Sequence, residues 1–151
     1  MAIFLDKSNP DVYQALLEVS RRAGAAAEAA GLQPLLLELV KIRASQINGC
    51  AYCLRLHSRL ALGLGETSDR LAVLSTWRET DYFTEAERAA LAITEEVTLV
   101  ADTMAGRRAP DGEHPELTDA QTAAIRWVAI TINSFNRVSI LSHHPVDPDE
   151  G

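Results

Sequence analysis

Residues 49–58 of the 151-residue chain read GCAYCLRLHS and hold both of its cysteines. Cys50, Cys53 and His57 stand at i, i+3 and i+7, so on a helix they share one face. At a rise of about 1.5 Å per residue, positions i and i+3 bring their Cα atoms to roughly 5 Å, inside the range a disulfide tolerates. A reversible Cys50–Cys53 bond therefore needs no unfolding of the helix. His57, one turn beyond Cys53, can exchange a proton beside that sulfur, and a carboxylate behind the imidazole would orient it. Glu38 is the candidate. It interrupts the apolar run PLLLELV and shares a helical stripe with Leu35 and Ile42. A glutamate on such a stripe is rarely buried without a partner.

The elements that must place these groups are all helical. Asn9-Pro10, a cap residue followed by proline at the first helical position, starts a helix that ends at Gly31. A second helix runs from Pro34 to Asn48-Gly49. The third begins near Cys50, which puts the unpaired first-turn amides beside that thiol and favours its thiolate. It ends at Gly63–Gly65. Thr67 caps a fourth helix through Trp77. The spacings Thr84/Glu87 and Thr118/Gln121 are capping boxes that open a fifth helix to about Met104 and a sixth to about Leu141. Residues 105–116 form the one long loop, and residues 143–151 a loose tail. No period-2 strand pattern occurs. The expected fold is all-α, a single domain over residues 1–151 with about six helices and the CxxC at the N-terminus of a core helix.

Composition limits the function classes. Net charge is −7 and the predicted pI is near 5.0, which argues against a nucleic-acid or anionic-membrane binder. Ile3–Leu5 are followed at once by Asp6 and Lys7, unlike a signal peptide, and no apolar run approaches the roughly 20 residues that span a bilayer. A cytoplasmic protein is expected, and in a reducing compartment a cysteine pair is more often redox-active or metal-binding than a staple.

Several readings compete for each residue. The cysteines with His57 and Glu38 could hold zinc, but zinc pairs sit on turns and no second CxxC exists. They could be inert buried thiols, although two cysteines fall three apart by chance in only about one placement in a hundred. Glu38 could be an ion-paired residue, for instance with Arg43. Tyr52 reads as packing. Trp77, Trp127 and Phe135 read as core or subunit interface, His114 and His143-His144 as solvated, and Asn133, Asn136 and Arg137 as a polar contact to a neighbouring helix.

Glu38, eleven residues, Cys50, two residues, Cys53, three residues, His57, within KIRASQINGCAYCLRLHS, resembles the active-site motif of the AhpD-like alkylhydroperoxidases of the carboxymuconolactone decarboxylase superfamily. The resemblance spans about residues 35–100, with NSFNR (133–137) as a weaker echo. It implies a thiol-dependent peroxidase in which Glu38 and His57 relay protons. Cys53 would attack the hydroperoxide substrate and become a sulfenic acid, and Cys50 would resolve it as the disulfide. A dithiol or protein reductant would restore both thiols. No cofactor or metal is implied. The best-known relatives carry a second relay histidine where this chain has Tyr52, and a phenol is a poor base at neutral pH. The decarboxylase branch lacks the cysteine pair, so its activity is not implied. A non-enzymatic redox sensor or disulfide-exchange protein and a metal-stabilised module stay open as alternatives.

Leucines 54, 56, 60, 62 and 64 spread around the third helix, whereas a lone surface helix confines its apolar residues to one stripe. Packing against other subunits would cover them. A homo-oligomer is expected, and the resemblance implies a hexamer or trimer.

Overall fold

The sequence pattern of caps and breaks is visible in the computed structural model, which describes residues 2–148. The α-helices are α1 (Leu5–Ser8), α2 (Pro10–Ala29), α3 (Pro34–Asn48), α4 (Ala51–Gly63), α5 (Ser68–Val73), α6 (Glu85–Thr98), α7 (Val100–Met104) and α8 (Asp119–Leu141), with a 3₁₀ segment at Leu74–Glu79. No strand occurs among the described residues. Both capping boxes form: Thr84 and Glu87 bond each other's backbone amides at the start of α6, and Thr118 and Gln121 do so at α8.

Three local expectations are corrected. The helix expected from Thr67 through Trp77 tightens into the 3₁₀ segment at Leu74, and Thr76 inside it leaves helical geometry. The helix expected to reach Met104 breaks at Leu99, whose ψ of 27° separates α6 from α7. Asn9 precedes Pro10 as expected, but its side chain caps nothing, because a short helix, α1, already leads into it.

Helix α3 is the centre of the bundle. It packs against α4, α6 and α8 and buries Leu36, Glu38, Leu39, Val40, Ile42, Ala44 and Ser45. A helix apolar around most of its circumference is an interior helix. Leu36 and Val40 join a cluster with α2, α6 and α8 that includes Ala27, Ile93, Ile125 and Ala129. Leu39 and Ile42 join a second cluster with Ala61, Leu74, Trp77, Phe83 and Leu91. Glu38 of the site thus sits on an interior helix of the fold.

The C-terminus of α3 is fixed by polar contacts to α8. Asn48 donates to the side-chain oxygens of Asn133 and Asn136, both at 2.9 Å. Asn136 is fully buried and donates to Ser45 Oγ at 2.9 Å, while Arg137 donates to Asn133. Asn133 and Asn136 make the interhelical contact expected of this segment, whereas Arg137 bonds within α8 to Asn133. Asn136→Ala should lower stability by about 2–3 kcal/mol, because it leaves a void and strips Ser45 and Asn48 of a buried partner. Denaturant unfolding of the variant against the parent protein measures this.

Candidate active site

Gly49 makes the turn that aims the cysteine helix. It ends α3 with φ 73°, a left-handed conformation that a side chain would strain. Its N–H and that of Cys50 both return to the carbonyl of Ser45. The chain then enters α4 with Cys50 as N-cap, whose sulfur accepts the N–H of Cys53 at 3.3 Å. Cys50 thus lies just ahead of the helix rather than in its first turn. Cys50 and Cys53 are joined as a disulfide with Cα atoms 5.4 Å apart, as the i, i+3 spacing allows.

Glu38 and His57 meet across α3 and α4. Glu38 Oε2 lies 2.7 Å from His57 Nδ1, and Glu38 Oε1 accepts from Lys41 Nζ at 2.9 Å. Both partners of the His57 pair are largely enclosed, with side chains 9% and 13% exposed. Burial would push the Glu38 carboxyl up, but the His57 hydrogen bond and the Lys41 charge outweigh it, and the group is held below its ordinary value. An ionised carboxylate only accepts, so Nδ1 carries the proton and Nε2 is left as the basic nitrogen of the neutral ring. The alternative partner Arg43 is engaged elsewhere. It donates to Glu95 at 3.0 Å, where Trp77 and Arg78 also donate.

A cavity of about 660 Å³ opens onto this pair, and both Cys53 and His57 line it. Cys50 is buried and is not part of its wall. The wall is mostly apolar, with Leu17, Leu37, Leu56, Val128, Ile132 and Phe135 among its residues. Phe135, expected as core or interface, faces this space. Tyr52 also lines it and is half-exposed, so its ring is wall as well as packing. Among the described residues no three His, Cys, Asp or Glu side chains converge as metal ligands.

The sequence reading missed the part played by the chain ends. Phe4, Asp6 and Lys7 from the N-terminal side and His144 and Pro145 from the C-terminal side complete the wall. His144, expected as solvated, is packed between Phe4 and Tyr52. Only the pairing of residues far apart in sequence reveals this, and no local pattern encodes it. Residues 149–151 of the expected tail lie outside the described residues. His114, also expected as solvated, has a side chain only 14% exposed.

A sequence model of the carboxymuconolactone decarboxylase family matches residues 10–96, more than half of the chain. The chain belongs to that family. Within the family it is AhpD-like: a crystal structure from Agrobacterium tumefaciens superposes with a TM-score of 0.80 and 28% identity over 97% of this chain and 99% of that one. That protein is described as one of unknown function, assigned provisionally to antioxidant defence as an AhpD. The uncharacterised YdfG protein of Bacillus subtilis strain 168 is 37% identical over 107 residues, 68% of this chain and 70% of the relative. The family match covers Glu38, the cysteine pair and His57, but ends ahead of the α8 asparagines and the C-terminal wall of the cavity.

Proposed function

We propose that the protein is a thiol-dependent peroxidase that reduces hydroperoxides through a Cys50–Cys53 dithiol/disulfide cycle. The observation that carries this reading is that Cys53 and His57 line one cavity, with Glu38 bonded to the far nitrogen of the imidazole. In the reduced protein His57 Nε2 takes the Cys53 proton. The thiolate attacks the outer oxygen of R–O–OH, the O–O bond breaks, and Cys53 becomes a sulfenic acid while the alcohol leaves. Cys50 then attacks the Cys53 sulfur, its proton leaves with the hydroxyl as water, and the disulfide forms. A dithiol reductant exchanges with that disulfide, is itself oxidised, and returns both thiols.

The size and lining of the cavity favour organic hydroperoxides. A volume of about 660 Å³ suits a compact organic molecule and far exceeds what hydrogen peroxide fills, and its apolar wall favours a hydrocarbon body. The provisional antioxidant label of the Agrobacterium relative is in keeping with this chemistry. The test is steady-state consumption of cumene hydroperoxide by the reduced protein with a small dithiol in excess. Turnover, with mass spectrometry finding the Cys50–Cys53 disulfide after a single peroxide addition, supports the reading. Stoichiometric oxidation without turnover would instead identify a redox sensor.

Assembly is part of the same proposal. Leu56, Leu60 and Leu62 of α4, the helix that carries Cys53, and Leu64 just after it are 42–50% exposed, and a second copy would cover them. Light scattering should give a multiple of the 16.4 kDa chain mass, three- or sixfold. A monomer mass at micromolar concentration would overturn this.

A further inference from the structure

Two imidazole–carboxylate pairs have their histidine in the cavity wall. One is Glu38–His57. The other is made by the chain ends: His144 Nε2 lies 3.3 Å from Asp6 Oδ1, and both residues line the wall that Cys53 and His57 line. This second pair is held from several sides. The His144 ring stacks on Phe4 with centroids 6.1 Å apart, and meets Tyr52, the residue before Cys53, edge-on at 5.5 Å. On one side of it, the fully buried Ser142 accepts the N–H of Leu5 at 3.1 Å. On the other, Arg55 of α4 donates to the carbonyl of Asp147. The His144 side chain is 19% exposed. A histidine so fixed, with one nitrogen against a carboxylate and its ring in the wall of a reactive cavity, has the form of an acid–base group.

We infer that His144, oriented by Asp6, is the general acid that protonates the leaving oxygen when Cys53 attacks a hydroperoxide, an inference that rests on the peroxidase reading above. In-line displacement puts the leaving oxygen on the far side of the transferred oxygen from the sulfur, away from the base that took the thiol proton. The S–O bond forms and the O–O bond breaks. Sulfur is oxidised, the peroxide is reduced, and the departing alkoxide takes its proton from the His144 imidazolium to leave as the alcohol. Imidazole is the side chain suited to give a proton near neutral pH. The other cationic groups of the wall suit the task less. Lys41 is bonded to Glu38, Arg55 holds a backbone carbonyl and a guanidinium does not release its proton, and the Lys7 ammonium lies over the Phe4 ring.

The leaving group provides the test. A peroxycarboxylic acid expels a stable carboxylate that needs no proton, whereas cumene hydroperoxide expels a strongly basic alkoxide. Single-turnover oxidation of reduced protein by each is followed in the parent protein, in His144→Gln and in Asp6→Asn. His144→Gln should slow the cumene hydroperoxide reaction by about 10²-fold or more and leave the peracid reaction nearly unchanged. Asp6→Asn should show the same selective loss at smaller size. An equal loss with both oxidants would reduce His144 to packing, and no loss with either would remove it from the reaction; both overturn the inference while leaving the peroxidase reading intact. Inertness of the parent protein toward both oxidants would overturn the peroxidase reading and this inference with it.

Discussion

The Cys53→Ser protein is expected to consume no hydroperoxide, whereas the Cys50→Ser protein should react once and stop. The two thiols pull an argument in opposite directions. Cys50 caps α4 and its sulfur accepts the Cys53 N–H, the environment that stabilises a thiolate. Cys53 has the access: it lines the cavity and shares it with His57, one helical turn away on the same face. A peroxide oxygen must reach the sulfur in line, so access decides, and Cys50, buried outside the cavity wall, is left the resolving part. Removing the nucleophile should cost on the order of 10³-fold or more in rate. In the Cys50→Ser protein the sulfenic acid has no partner, and a diketone probe should label Cys53 after one equivalent of peroxide. Labelling of Cys50 in the Cys53→Ser protein at the parent rate would reverse the two roles.

Much of this site can be read from the chain because its four groups lie within twenty residues on two consecutive helices. Glu38 announces itself as a carboxylate on an apolar stripe, and Asn48-Gly49 announces the break that sets Cys50 at a helix start. The capping boxes at Thr84 and Thr118 are local chemistry and form as spaced. What local pattern does not encode is which partner wins among several. Lys41, at i+3, faces Glu38 along α3 and takes it, whereas Arg43, at i+5, points round the helix to α6, where Glu95 takes it. The break at Leu99 and the 3₁₀ segment at Leu74 are likewise decided by tertiary fit, since neither stretch holds a proline or glycine. The cavity is the least legible feature. Its wall joins residues 4–7 to residues 144–145, nearly the full length of the chain apart, and their composition alone reads as a solvated end.

Tyr52 marks where sequence and structure ask the same question. It stands where better-known relatives have a histidine, and its ring forms part of the cavity wall against His144. Tyr52→His should raise cumene hydroperoxide turnover if proton supply limits the rate. An unchanged or lower rate in a folded variant would mean that the wall already supplies the proton.

His57→Ala and Glu38→Ala should each slow oxidation of Cys53 by about 10²- to 10⁴-fold, the usual contribution of a general acid–base group. The geometry gives the two residues different tasks. His57 lines the cavity and meets the thiol proton; Glu38 touches only the far nitrogen and Lys41, so it acts by fixing the tautomer and holding the imidazolium once it forms. Glu38→Gln separates these effects. The amide oxygen can still accept from Nδ1, so orientation survives while the charge is lost, and the rate should fall less than in Glu38→Ala. Stability adds an independent readout. Glu38 is held below its ordinary value by His57 and Lys41 against its burial. Its ionised form therefore contributes stability above the unfolded-state value of about 4.3, and that contribution is lost as pH falls through the lower folded value. The parent protein should accordingly lose stability on acidification below about pH 4.5, and Glu38→Gln should show a flatter acid limb in denaturant melts taken across pH 3–6. Rates near the parent value in both alanine variants, with the fold intact by circular dichroism, would leave Glu38 and His57 as the buried clasp between α3 and α4 and nothing more.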